Sequence, residues 1–302
     1  VIKNFDNLMQ EAKKQKKMKL VVAAAQDTDV LTAVVAAAHD GIIEPVLVGE
    51  ILAIEKIASD NHLDISTFEL IAADTLESAA EISVKMVNQG KADFLMKGLI
   101  DTAILLRAVL NKEYGLRTDS QLSHVMVYES ENYHKLLFLT DGGMNIAPTL
   151  EEKIKITKNA VQVVKAMGMV EVKVAALAAK EKVNPKMPAT VDARALQDLC
   201  EKGEFSEGTI VEGPLAFDLA VSSDAAKVKK FVSAVAGDVD VILVPNIEVG
   251  NGIGKALTYI AKAESAGIIM GAKAPIVLVS RADSYSSKLN SIALGSVIAA
   301  NI

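Results

Sequence analysis

The sequence predicts an α/β fold in two domains, with mostly parallel sheets and helices on both faces. Three observations predict it. Short apolar runs alternate with longer stretches of helical period. The 302 residues suffice for two domains at roughly 150 residues each. Hydrophobic residues make up 51% against 23% charged, the balance of a chain that buries a core without disulfides or metals.

The elements follow in order. Residues 19–25 (KLVVAAA) form a buried-strand pattern, and residues 27–39 a helix. Residues 45–48 are a strand, followed by a helix from about Glu50. Residues 68–71 are a strand, and residues 74–89 a helix capped by Asp74 and stopped by Gly90. Residues 92–96 and 102–110 repeat the pair, and this βαβα rhythm is that of a parallel sheet. The middle differs: residues 123–128 and 135–140 read as two strands joined by a polar loop, a hairpin or meander. A long helix spans 150–167, then a strand 172–177, and a helix 191–202 behind the cap Thr190. Strands near 209–211 and at 239–244, a helix at 250–262, a last strand at 275–280 and a final helix complete the chain. The domain change is set near residue 120. The first domain is expected to comprise 1–120 plus about 270–302, and the second about 121–269.

Composition excludes several function classes. Aromatic residues are only 4% and Trp is absent, which argues against platforms that stack nucleic-acid bases. A net charge of −6 leaves no global polycation, so neither a nucleic acid nor a membrane is an expected partner. The single Cys200 removes an internal disulfide framework and a Cys-rich zinc site, and fits a reducing compartment. Residues 1–20 are Lys-rich and amphipathic, without an apolar signal core. The longest uncharged stretch, 289–302, is shorter than the ~20 residues of a membrane span. A cytoplasmic protein is expected.

Ligands of open α/β sheets bind at the carboxyl ends of strands, so four loops there are the candidates. They are Lys97-Gly98, residues 140–145 (TDGGMN), residues 245–251 (PNIEVGN) and residues 280–284 (SRADS). Residues 250–255 (GNGIGK) fail the phosphate-loop pattern at Val249 and Ala256, and fail the dinucleotide pattern at Lys255. An anion site and a simple helix entry both fit there. Arg281 ends an apolar strand, where its guanidinium offers forked donors to phosphate or carboxylate. Asp283 and Ser287, four apart, would share a helical face, while Asp283 or Ser284 also suits a helix cap. Arg107 lies in an apolar helical pattern and, on its own, reads as snorkelling to solvent. Lys97, flanked by apolar residues at a strand end, suggests a pocket or a sheet edge. The four histidines show no paired-ligand spacing, so no metal site is expected. Cys200 reads as helix packing, and no GxSxG elbow is present.

At these loops the sequence resembles the phosphate acetyltransferase and phosphate butyryltransferase family. The resemblance runs through ADFLMKGLIDTAILLRAVLNKEYGLRT, LLFLTDGGMNIAPT, NPKMPAT, VEGPLAFDLA, PNIEVGNGIGKALTY and APIVLVSRADSYSSKLNSIAL, essentially the whole chain. MKGL and SRADS are similar to the butyryl branch. The acetyl branch usually has Ser in place of Lys97. The resemblance implies the two-domain fold of the isocitrate and isopropylmalate dehydrogenase group, with the active site in an interdomain cleft. It implies reversible transfer of a short acyl group, butyryl first, with acyl-CoA, phosphate and acyl phosphate as partners, in fermentative butyrate metabolism. No cofactor is expected beyond coenzyme A and phosphate as substrates, and the assembly is expected to be a homo-oligomer built on a dimer.

Carried over by position, Ser280 and Arg281 match the family's catalytic pair. Arg281 would bind phosphate and the acyl carbonyl oxygen, and Ser280 would donate to the developing oxyanion. Arg107 matches a helix arginine and would contact phosphate or CoA. Lys97, Gly98, Asn145, Asn246, Glu248, Gly250 and Asn251 match substrate-binding loops. The acetyl branch has a catalytic Asp seven residues after the Ser; here that position is Ser287, placed with the binding residues, and Asp283 is the nearest acidic candidate for the base. Phosphate acetyltransferase activity, a metal- and NAD-dependent dehydrogenase of the same fold, and a two-lobed binding protein are the competing expectations.

Overall fold

A computed structural model describes residues 2–279 and 283–302. The chain divides into two compact units. The first comprises Phe5–Ser120 and Ala266–Ile302, the second Val1–Asn4 and Gln121–Ser265.

The first unit begins with α1 (Phe5–Lys14), β1 (Met18–Ala23), α2 (Thr28–His39), β2 (Ile43–Gly49) and α3 (Ile51–Asp60). β3 (Glu69–Ala72), α4 (Leu76–Asn88), β4 (Phe94–Lys97) and α5 (Thr102–Val109) follow. The second unit holds β5 (Ser123–Glu129), β6 (Leu137–Thr140), α6 (Leu150–Ala166), β7 (Val172–Leu177), α7 (Pro188–Glu201) and β8 (Thr209–Leu215). It continues with α8 (Phe217–Val221), α9 (Ser223–Val228), β9 (Val241–Leu243), α10 (Ile247–Lys255) and a π-helical turn (Ala256–Ile260). β10 (Glu264–Met270), β11 (Ile276–Val277) and α11 (Tyr285–Asn301) return the chain to the first unit.

Strand order in the first unit is β3-β2-β1-β4-β11-β10, parallel throughout except for the β10/β11 pair. In the second it is β5-β6-β9-β7-β8, parallel except for β5/β6. Parallel strands are covered on both faces, and β1 and β4 accordingly bury Leu20, Val21, Val22, Phe94, Leu95 and Met96 completely. The second unit's core gathers Tyr128, Leu139, Ala175, Leu215, Leu219 and Ile242.

Several boundaries correct the sequence reading. Thr75, not Asp74, caps α4: its hydroxyl accepts the Ser78 N–H at 3.1 Å, and the Ser78 hydroxyl accepts the Thr75 N–H at 3.1 Å. Thr190 does not cap α7. That helix opens at Pro188, whose missing N–H costs nothing there, and the Thr190 hydroxyl bonds back to the Asn184 and Met187 carbonyls. α10 starts before Gly250 because the Asn246 side chain accepts the Val249 N–H at 3.1 Å. β10 was not anticipated: Gly267 interrupts its apolar run, and its polar start, Glu264-Ser265, merges with the preceding helical pattern. The strand expected at 275–280 is regular only over Ile276–Val277. The first unit resumes at Ala266, close to the expected 270, and residues 2–4 group with the second unit.

Candidate functional site

In the second unit, β6 and β9 are parallel neighbours with Thr140 opposite Leu243, so the loops that leave them lie side by side. Asp141 organises the first loop. The residue is only 2% exposed. One oxygen accepts the N–H groups of Gly143 at 2.8 Å and Met144 at 2.9 Å. The other accepts the N–H groups of His124 at 3.1 Å and Asn145 at 3.3 Å, and the Asn145 side-chain amide at 2.6 Å. A buried carboxylate is tolerated when donors replace its water, and this one is ringed by them.

The paired glycines answer to close approach. A Cβ on Gly142 would lie 2.7 Å from the Gly250 carbonyl carbon, and one on Gly250 would lie 2.7 Å from the Gly142 Cα. A Cβ on Gly143 would lie 2.8 Å from His124 Nδ1. The TDGGMN loop therefore packs backbone to backbone against the first turn of α10.

Two of the expected substrate-binding residues carry structural hydrogen bonds here. The Asn145 amide donates to Leu122 O at 2.8 Å and to Asp141, and its oxygen accepts from Gln121 Nε2 at 2.7 Å. The Asn145 side chain thus fastens the loop, with both amide N–H groups engaged. Asn246 caps α10 through its side-chain oxygen. Gly250 is buried at the loop contact, whereas Glu248 and Asn251 are exposed on the first turns of α10. The Asn251 amide donates to Gly142 O at 3.4 Å.

In the first unit, the carboxyl ends of β1 and β4 form the corresponding edge, with Ala23 opposite Lys97. Gly98 N donates to Ala23 O at 2.9 Å and Leu99 N to Ala24 O at 2.7 Å. A Cβ on Gly98 would lie 2.1 Å from Ala24 O, so only glycine fits. Lys97 is half-buried, its ammonium 3.4 Å from Gly98 O. Arg107 is exposed in the last turn of α5, where a cation also meets the negative end of the helix dipole.

Ser280 and Arg281 lie outside the described residues. Beyond them, Ser284 caps α11 by accepting the Ser287 N–H at 3.2 Å. Asp283 therefore precedes the helix and shares no helical face with Ser287, which corrects the spacing argument. Asp283 O accepts the ammonium of the buried Lys288 at 2.6 Å, which ties down the chain where it enters α11. Ser287 is 3% exposed in the first turn.

The sequence reading passed over three residues at these strand ends and on α11. Asp141 was visible only as part of a glycine-bearing loop. Among the described residues, Gln26, just past β1, buries Oε1 without a hydrogen-bond partner, and Asn290 on α11 buries Nδ2 likewise. A polar residue directly after an apolar strand was the available signal for Gln26. Nothing in the sequence marks Asn290 apart. Among the described residues no group of three or more His, Cys, Asp or Glu is placed to hold a metal ion. Among the same residues no helix is long and apolar enough to cross a membrane.

Comparison with known proteins adds the following. The chain matches the family described as phosphate acetyl/butaryl transferase over residues 4–83 and 70–296. It is 46% identical to the phosphate butyryltransferase of Clostridium acetobutylicum over 301 residues, covering 100% of both chains. It is 42% identical to the phosphate acetyltransferase of Thermotoga maritima over 289 residues, 96% of this chain and 98% of that one. Among solved structures, it is similar to a branched-chain phosphotransacylase from Enterococcus faecalis, with a TM-score of 0.84 and 31% identity over 94% of this chain and 100% of that one.

Proposed function

The chain belongs to the phosphate acetyl/butaryl transferase family, and we propose that it moves a short-chain acyl group, butyryl first, between coenzyme A and inorganic phosphate. The observation that carries this reading is the end-to-end match, at 46% identity, to a phosphate butyryltransferase. The reaction is acyl-CoA plus phosphate giving acyl phosphate plus CoA. A phosphate oxygen adds to the thioester carbonyl, the C–S bond breaks, and the proton lost by phosphate ends on the CoA thiol. No atom changes oxidation state, so the reading calls for no redox cofactor, and acyl transfer of this kind needs no resident metal.

The barrier is a tetrahedral oxyanion forming beside a multiply charged phosphate. Donors aimed at that charge lower it, and one is typically worth ~3 kcal/mol. In this reading Arg281 binds phosphate and the carbonyl oxygen, and Ser280 donates to the oxyanion. Exposed Arg107 and half-buried Lys97 supply the cations that draw in phosphate and CoA. Gly98 supports the role of Lys97 by fixing the backbone beside it, with Gly98 N bonded to Ala23 O. Ser287 is buried and has no ionisable group, and in this reading Asp283, the carboxylate nearest Ser280 in sequence, carries the proton on its way to the CoA thiol. Glu248 and Asn251 present side chains from α10, while Asn145, Asn246 and Gly250 hold that surface in place. The enzyme acts in the cytoplasm as a homo-oligomer built on a dimer.

CoA release from butyryl-CoA, followed with a thiol reagent with and without phosphate, tests this reading. Phosphate-dependent release, faster from butyryl-CoA than from acetyl-CoA, is the expected result. Release independent of phosphate would make the protein a thioesterase, and faster release from acetyl-CoA would reassign the acyl preference.

A further inference from the structure

We propose that Asp141 is a positioning residue that locks the loop after β6 to the first turn of α10, making one rigid surface of two strand-end segments. The substrate side of this inference rests on the acyl-transfer reading; the coupling does not. Three observations converge on it. The Asp141 carboxylate collects the N–H groups of Gly143, Met144 and Asn145, which fixes the course of the loop. The same carboxylate takes the His124 N–H, which anchors that loop to β5. The loop then meets α10 backbone to backbone at Gly142 and Gly250, the Gly142 Cα lying 2.7 Å from where a Gly250 Cβ would be.

Two further bonds run across the joint. Asn251 Nδ2 donates to Gly142 O, and Ile247 N donates to Ile146 O at 3.0 Å. A displacement of the loop therefore moves Glu248 and Asn251, the exposed side chains that α10 offers to a ligand. Misplacing a substrate-positioning group by about 1 Å costs up to ~100-fold in rate, so Asp141 acts on the reaction without touching the substrate.

Asp141→Asn is the direct probe, because it keeps the shape of the side chain. In either amide orientation the new NH2 group faces at least two N–H donors: those of Gly143 and Met144, or those of His124 and Asn145. Hydrogen exchange followed by mass spectrometry reads the coupling without any substrate. In the intact chain, Asp141→Asn is expected to speed exchange at least 10-fold both in residues 141–147 and in residues 246–255, leaving β1 and α2 unchanged. Acceleration confined to 141–147, or absent from both segments, would overturn the proposal.

Gly250→Ala approaches the joint from the other side and covers the case in which Asp141→Asn fails to fold. Coupling is reciprocal, so its added methyl must speed exchange in 141–147 as well. In the CoA-release assay, at a temperature where both variants keep the parent's circular dichroism, kcat/KM for each is expected to fall about 10- to 100-fold. A merely structural Asp141 would lower the melting temperature and leave both the exchange of 246–255 and the kinetics of the folded variant at parent values. A parent chain without phosphate-dependent release would sink the acyl-transfer reading, and the exchange result would still decide the coupling.

Discussion

Asn290 buries an amide nitrogen that finds no acceptor among the described residues, in a helix whose buried face beyond Lys288 is otherwise apolar or small. An unmade hydrogen bond of this kind costs ~1–3 kcal/mol, so Asn290→Leu, similar in size and apolar, is expected to stabilise the chain by about 1 kcal/mol. A urea midpoint below the parent's would show that the amide holds a partner in solution. Asp238 carries the opposite logic. Burial pushes its carboxyl up, but hydrogen bonds from Lys173, His134 and Lys135 outweigh that and hold it well below the ordinary value of 3.8. A depressed carboxylate stabilises the fold fully above the unfolded value and loses that contribution as pH falls through the folded one. Asp238→Asn should therefore lower the denaturation midpoint at pH 7, with the gap to the parent narrowing as pH drops below about 4; a gap constant with pH would refute the role. Legibility at this scale was uneven. Gly98 and Gly250, expected in substrate-binding loops, sit where backbone of another segment comes too close for a side chain. Asn145 and Asn246 have structural duties that the sequence did not show, since an amide that fastens a loop or caps a helix looks the same in sequence as one that binds a ligand.

Helix ends are where elements were most and least readable. α6 was foreseen within a residue because Thr149 and Glu152 form a reciprocal cap ahead of a strong apolar period. Thr149 N donates to Glu152 Oε2 at 2.8 Å, and Glu152 N to Thr149 Oγ1 at 3.3 Å. Thr149→Ala removes one half of this box and is expected to cost ~0.5–2 kcal/mol in a urea melt, with Thr149→Ser recovering most of it. No loss on Thr149→Ala would mean that water satisfies the Glu152 N–H equally well. The helix expected at 250–262 begins three residues earlier, and its three glycines all sit inside it; two of them are glycine because something lies too close for a side chain: the Gly142 backbone at Gly250, and the Tyr128 hydroxyl at Gly254, where a Cβ would be 2.7 Å away. The short α8 and α9 were invisible for want of length, since a period of 3.6 needs several repeats before it stands out, while β10 was hidden by Gly267 and its polar start.

At the scale of the chain, the first unit is discontinuous: its last 37 or so residues arrive only after the whole second unit has been made. These residues are not an accessory. β11 lies parallel to β4, with Val277 opposite Met96, and Leu95 N donates to Pro275 O at 3.3 Å. α11 packs on α1 and α2 and buries Ile292, Leu294, Val297 and Ile298. Gly295 lets the Phe94 ring lie against the helix, where a Cβ would come within 2.8 Å of it. Burying four such side chains contributes roughly 1.5–3 kcal/mol each, comparable in sum with the net stability of a domain. Residues 5–120 alone should therefore lack a cooperative unfolding transition, although they hold most of the sheet. Joining 120 to 266 by a flexible linker should restore it. The ends are already near, since Lys273 N donates to Leu116 O at 2.8 Å and the Thr118 hydroxyl to Gly271 O at 2.6 Å. A linker of about ten Gly and Ser residues, with a mean span of ~5–6 Å × √n, reaches back along β10. Urea titration followed by circular dichroism decides the point. A sigmoidal transition for the joined chain and a shallow drift for 5–120 is the expected pair. An equally steep transition for 5–120 alone would show that the returning segment decorates a unit already able to fold.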